Sequence, residues 1–300
     1  MRSMTRALAF GACLLLALMA VSRAQAPEAK QVEIFGQKIV YQEAGSPANP
    51  KVILLHGLGG DLSHWAMTVP ALAAKYHVFV PDQVGFGKSD KPIANYRVAM
   101  LVEFLDRFMT KLGIEKATIV GNSLGGWTAG AFAVAHPQKA EKIVLVDAAG
   151  YSPKRWGGPP LDRAQLNGLN PSTTAQMKAT FSLVFHNKAM ASDAFAEQAF
   201  TAKLKRGDGG TINSFIESVL REEDLLDETA KTIKAPTLVL WGRQDGLTPL
   251  AMGELFAKEI PGAQLVVIDQ CGHVPQMEKP AEFNAALLRF LAGARATAAK

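Results

Sequence analysis

The sequence predicts an α/β fold, a mostly parallel, doubly wound sheet with an inserted helical cap. Three observations predict it. Six runs, "KVILLHG" (51–57), "HVFVPD" (77–82), "ATIVGN" (117–122), "EKIVLVD" (141–147), "PTLVLWG" (236–242) and "AQLVVID" (263–269), are continuously apolar and rich in β-branched residues. That composition suits strands covered on both faces. Helical patterns lie between most of them, and such alternation makes a parallel sheet. The rhythm stops only between Asp147 and Pro236, where Gly- and Pro-rich sequence gives way to helix-like spacing.

Residues 1–26 stand apart. Arg2 and Arg6 precede an apolar run from Ala7 to Val21, and Ala24, Gln25 and Ala26 follow. This is the order of an export signal, and we expect cleavage after Ala26 and a periplasmic or secreted destination. The run falls short of the roughly 20 residues that span a bilayer. No later stretch is long and apolar enough for a stable membrane span.

Beyond the signal, "QVEIF" and "KIVYQEA" flank Gly36 and read as an opening hairpin. The stretch 96–113 has apolar residues at three- and four-residue steps and ends in Gly113, a helix C-cap. "LGGWTAGAFAVAHP" is a second helix, stopped by Pro137. Others follow Pro249 and run from Pro280 to about Ala292. The expected division is a core of 27–149 and 231–300 with a cap of 150–230.

At 48% apolar and 20% charged, the 300-residue chain can bury a sizeable core. Its formal charge of +5 falls to +2 once the signal's three arginines are removed, because residues 1–26 hold no acid. A near-neutral chain is a poor nucleic-acid binder. Of its two cysteines only Cys271 lies in the mature part, which excludes a disulfide within that part. Cys271 with His273 is too sparse a set for a metal and reads as a packed thiol beside the histidine loop. We expect no metal and no cofactor.

The chemistry gathers around "IVGNSLGGW" (119–127). Ser123 sits where a strand ends and a helix begins, with Gly121 and Gly125 two residues to either side. That sharp turn exposes the serine hydroxyl and faces the Leu124 N–H toward a developing oxyanion. A serine needs a base. Of the six histidines, His273 in "VVIDQCGHVPQMEKP" is best placed, after the last strand. Asp245 in "LVLWGRQDGLTPL" follows the strand before it and is the expected acid, with Asp147 as its rival. His56 opens "HGLGGD" at another strand end and reads as a structural residue. Gly57, Gly59 and Gly60 let backbone approach the reacting carbonyl, so the Leu58 N–H is the second oxyanion donor. Asn122 joins His56, Gly57 and Gly59 in shaping the pocket. His64, His77, His136 and His186 read as loop or surface residues, with His64 near the pocket mouth. The Gly-Lys-Ser in "DQVGFGKSD" is not a phosphate loop, because Asp82 stands where that motif requires glycine.

Through "HGLGG", "PDQVGFGKSDKP", "GNSLGG", "WGRQDGLTP" and "CGHVPQMEKPAEFN", residues 31 to about 292 resemble the α/β-hydrolase superfamily. Within it the chain is similar to serine esterases and to meta-cleavage-product hydrolases, which break a carbon–carbon bond of a vinylogous diketone. The resemblance implies the α/β-hydrolase fold and acyl transfer through Ser123, His273 and Asp245, with the Leu58 and Leu124 amides as oxyanion hole. Val274 stands where the carbon–carbon hydrolases usually carry tryptophan, and neither Arg155 nor Arg163 clearly matches their cap arginine. Serine at the nucleophile position argues against dehalogenase and epoxide-hydrolase chemistry.

The expectation from sequence is an exported serine hydrolase of small to medium apolar acyl or aryl esters or lactones. The alternatives are a carbon–carbon hydrolase of the meta-cleavage type and a non-catalytic ligand-binding member of the fold. Trp156, Met177, Phe181 and Phe185 suit an apolar substrate group or, more simply, the cap's own core.

Overall fold

The computed structural model describes residues 29–293; the expected export signal lies outside them. Strands β1 (Lys30–Ile34) and β2 (Gln37–Ala44) form the antiparallel hairpin. Its two turn residues, Phe35 at φ 51° and Gly36 at φ 73°, take the left-handed conformation that matches strand twist. Next come β3 (Lys51–Leu55), β4 (His77–Pro81), β5 (Ala117–Asn122), β6 (Ala140–Val146), β7 (Thr237–Gly242) and β8 (Gln264–Ile268). The sheet order is β1-β2-β4-β3-β5-β6-β7-β8. β2 pairs antiparallel with β4, and the pairs from β4 onward are parallel.

Alternation along each strand feeds two apolar layers. Ile53, Leu55, Val239 and Trp241 face one, with helices α2 (Val98–Lys111), α3 (Leu124–Ala135) and α9 (Leu250–Glu259). Val52, Leu54, Leu238 and Leu240 face the other, with α1 (Val69–Ala73) and α11 (Pro280–Leu291). Leu101, Val102, Leu105, Phe108 and Met109 form the buried stripe of α2, as their spacing requires. The helix closes where Gly113 turns to φ 66° and the Ile114 N–H returns to the Met109 carbonyl at 2.8 Å.

Between β6 and β7 the chain is helical and adds no strand to the sheet. α4 (Pro153–Trp156), α5 (Arg163–Asn167), α6 (Thr174–Val184), α7 (Asp193–Arg206) and α8 (Gly209–Leu220) follow in turn. Asp162, Thr173 and Ser192 each accept a first-turn N–H, which starts α5, α6 and α7. Met177 is buried, and Phe181, Phe185 and Phe195 pack on one another with centroids 5.2–6.0 Å apart. These side chains therefore build the cap's interior. Trp156 packs partly buried against the main core. Among the described residues no helix is long and apolar enough to cross a membrane. A short helix α10 (Pro275–Glu278) follows the loop after β8.

Candidate active site

Ser123 lies between β5 and α3 at φ 56°, ψ −119°, a conformation that side chains other than glycine rarely adopt. The fold holds it there. Its N–H donates to the Val146 carbonyl at 2.9 Å, and its carbonyl accepts the Trp127 and Ala149 N–H groups at 3.0 and 3.2 Å. Neither flanking glycine can carry a side chain. A Cβ on Gly121 would sit 2.0 Å from the Gly125 carbonyl oxygen, and one on Gly125 would sit 2.3 Å from that of Leu55. Leu124 is the first residue of α3, where backbone N–H groups lack helical partners.

The "HG" loop abuts this turn: a Cβ on Gly57 would come within 3.0 Å of the Ser123 Cβ. His56 is fully buried, with Nδ1 2.8 Å from the Gly57 carbonyl. Its Nε2 accepts the Gln83 N–H at 3.1 Å, so Nδ1 carries the hydrogen and donates. Burial lowers its pKa and keeps the ring neutral, as this bonding requires. The Gly57 carbonyl also accepts the Gly60 N–H at 3.1 Å. With that carbonyl anchored, the Leu58 N–H projects from the opposite side of the same planar peptide. Gly59, at φ 67°, presents its carbonyl to Arg206 at 3.0 Å.

His273 and Asp245 meet although 28 residues separate them. Nδ1 of the histidine donates to Asp245 Oδ2 at 2.7 Å, and both side chains are buried. Asp245 also accepts the Leu247 and Thr248 N–H groups at 2.7 and 3.1 Å and the Thr248 hydroxyl at 2.5 Å. Burial alone would raise this carboxyl's pKa; the His273 charge and these donors outweigh it and hold the group below its ordinary value. Asn122 ties strand to loop, its Nδ2 donating to the Val146 and His273 carbonyls at 3.2 and 2.9 Å.

Asp147, the rival acid, is not the partner of His273. It is fully buried close to Asp245 and accepts the Gly242 N–H at 2.8 Å. Asp147, Asp245 and His273 form the one group of three ionisable side chains close enough to hold a metal among the described residues. The donor atoms of Asp245 and His273 are already engaged with each other and with Thr248, which makes this a hydrogen-bonded arm. Cys271 is a buried free thiol whose pKa burial raises.

His77 departs from the loop or surface reading, and His64 keeps its place in a turn but is partly buried. His77 begins β4 and is buried, with Nε2 2.7 Å from a Glu43 carboxylate oxygen. His64 lies in a 3-10 turn with its Nδ1 buried, and burial lowers its pKa to about 4. Sequence reasoning also missed Thr248 and Glu278. The first could have been found as a hydroxyl three residues after the acid, placed to cap the turn that Asp245 begins. Glu278 accepts the Gly272, His186 and Asn187 N–H groups, clipping the histidine loop to the cap.

Comparisons with known proteins place the fold in a family. The chain matches the alpha/beta hydrolase fold family over residues 50–159 and 152–280. A 2-hydroxymuconate semialdehyde hydrolase from a Pseudomonas species is 34% identical over 261 residues, covering 84% of this chain and 90% of that protein. The solved meta-cleavage product hydrolase of Pseudomonas fluorescens is 30% identical at a TM-score of 0.79, over 88% of this chain and 97% of that one. A solved bacterial membrane phospholipase A is 28% identical at a TM-score of 0.78, over 96% of both chains. By this match and by relatives of this identity and coverage, the chain belongs to the alpha/beta hydrolase fold family.

Proposed function

We propose that the chain hydrolyses a bond to a carbonyl carbon through Ser123, and that its substrates belong to the carbon–carbon class of its curated relatives. The Asp245–His273 pair carries the mechanistic part, because Asp245 occupies Nδ1 and leaves Nε2 as the proton acceptor. Ser123 Oγ attacks the carbonyl carbon as His273 takes its proton, and the Leu58 and Leu124 amides receive the oxyanion. Collapse of the tetrahedral intermediate sends the electrons of the broken bond into a conjugated enolate, which takes the proton back from His273 and leaves. Water, deprotonated by His273, then releases the acid. The relative named for 2-hydroxymuconate semialdehyde supports this substrate class.

An ester reading has its own support. Each cap arginine is already paired: Arg155 with Glu259, Arg163 with Glu217, Arg206 with Asp208 and Asp61, and Arg221 with Glu223. A dienoate carboxylate would have to compete for them, whereas a neutral ester would not. The phospholipase A that matches 96% of this chain supports the same reading. Export is part of it, resting on the order of residues 1–26.

Reaction with a fluorophosphonate tests the nucleophile: labelling of Ser123 that vanishes in Ser123→Ala is expected, and its absence refutes both hydrolytic readings in favour of a binding role. Turnover of a coloured ring-cleavage diketone against p-nitrophenyl esters of graded acyl length then decides the class. Fast ester turnover with an untouched diketone overturns the carbon–carbon reading.

A further inference from the structure

The mechanism leaves one ionisable group at the centre of the fold without work. Asp147 follows β6, is fully buried, and holds φ 42°, a left-handed conformation that aspartate tolerates better than most residues. Its Oδ1 accepts the Gly242 N–H at 2.8 Å, while its Oδ2 is buried without a hydrogen-bond donor. An oxygen of Asp147 lies within 4.8 Å of both an Asp245 oxygen and a His273 nitrogen. Two buried carboxylates this close do not both ionise, because each raises the cost of charging the other.

Donor counts decide which one keeps the proton. Asp245 receives two backbone N–H groups, the Thr248 hydroxyl and the His273 Nδ1–H. Asp147 receives one backbone N–H. We propose that Asp147 Oδ2 carries a proton and donates it to the Asp245 carboxylate, which makes Asp147 a positioning residue for the acid that orients His273. The proton stays on Asp147 throughout turnover. A hydroxyl there gives an orphaned buried oxygen a proton to donate, with the Asp245 carboxylate close by as acceptor.

The electrostatic surroundings agree. Burial, the neighbouring Asp245 charge and the more distant Glu278 push the Asp147 pKa well above the ordinary carboxyl range. Cys271 is buried as well, and burial raises its thiol, so it brings no charge to the cluster.

This inference rests on the proposed serine-hydrolase reading, and its test separates the two. Infrared difference spectra of the purified full-length protein at neutral pH are expected to show the carbonyl stretch of a protonated carboxyl that is absent from Asp147→Asn. A missing band, or one that persists in the variant, overturns the proposal even if Ser123 still labels with fluorophosphonate. Loss of labelling with the band intact would overturn the hydrolase reading and leave Asp147 protonated. In kinetics, Asp147→Leu removes the donor and is expected to lower kcat by about 10- to 100-fold at little change in KM. Asp147→Asn can donate from Nδ2 and accept at Oδ1, and is expected to recover most of that loss. Equal damage in two folded variants refutes the proposed bond. If the leucine variant does not fold, the infrared comparison still decides.

Discussion

The His273 N–H donates to the Val184 carbonyl at 2.7 Å, so the last turn of cap helix α6 is bonded directly to the loop that carries the histidine. One residue earlier, the Leu183 carbonyl accepts the Gly246 N–H beside Asp245 at 3.2 Å. The cap therefore presses on both loops of the acid–histidine arm, and glycine at 272 lets it. A Cβ there would stand 2.2 Å from the Val184 oxygen, a backbone atom that cannot rotate away. We predict that Gly272→Ala lowers stability by about 1–3 kcal/mol, the range for overpacking, and lowers kcat by at least about tenfold as His273 shifts. Thermal melts and turnover check this. Unchanged kcat would mean that cap position does not matter to the histidine.

Glu278 is the side-chain counterpart of that contact. Its carboxylate accepts the Gly272 N–H at 2.7 Å and the His186 N–H at 3.3 Å, and it also bonds the Asn187 N–H. Glu278→Ala strands those donors and is expected to cost about 1–3 kcal/mol of stability, with kcat reduced more than KM. Glu278→Gln keeps an acceptor oxygen and should lose less. Denaturant midpoints of the two variants measure the difference; equal losses would show that the charge, not the bonding, holds the loop.

These loop contacts mark where sequence reading stopped. The six core strands were legible because runs such as "ATIVGN" and "PTLVLWG" have no polar face to confuse with a helix, and their ends lie within two residues of where they were expected. The sharp turn at Ser123 and the pairing of Asp245 with His273 were legible because strand ends and glycines mark loops that need special backbone. Three things were not. The choice of Asp245 over Asp147 depends on a 2.7 Å contact that no spacing encodes. The burial of His77 and of the His64 Nδ1 depends on tertiary neighbours. The cap's grip on both loops runs through the Leu183 and Val184 backbone, whose bonding is independent of the side chains that a sequence displays.

Arg206 joins the cap to the loop that carries Leu58 and Gly59. It donates to the Gly59 carbonyl at 3.0 Å, to Asp61 at 3.2 Å and to Asp208 at 3.1 Å. Asp208 is fully buried and has Oδ1 unpartnered, with Lys203 Nζ at 3.8 Å as its other cation. Arg206→Met keeps the apolar stem and removes the charge, so Asp208 loses its closest partner. Breaking a buried pair from one side typically costs about 3–5 kcal/mol. We expect a stability loss near the lower end, since Lys203 remains, and a lower kcat from the loosened Gly59 carbonyl. A double variant with Asp208→Asn should recover stability but not kcat; recovery of both would place the effect in folding alone.

His64 makes the acid limb of stability predictable. Burial lowers its pKa in the folded protein to about 4 from an ordinary 6.5, with the Asp61 charge opposing the shift. Above pH 6.5 the ring is neutral in both states and contributes no pH dependence. Between pH 6.5 and 4 the unfolded chain takes up a proton that the folded chain refuses, so stability falls as pH falls, and below 4 both states are charged and the loss levels off. The full loss is about 3 kcal/mol, at 1.36 kcal/mol per pKa unit. His56 shifts in the same direction through burial and adds to the slope. His64→Gln carries no proton in either state, so its urea midpoint should fall less than that of the wild type between pH 7 and 4. Subtracting the two curves isolates His64 from the carboxylates that titrate below pH 5. Parallel curves through that window would mean that His64 charges freely in the folded protein, and that the turn Leu62–Trp65 opens to water as it does so.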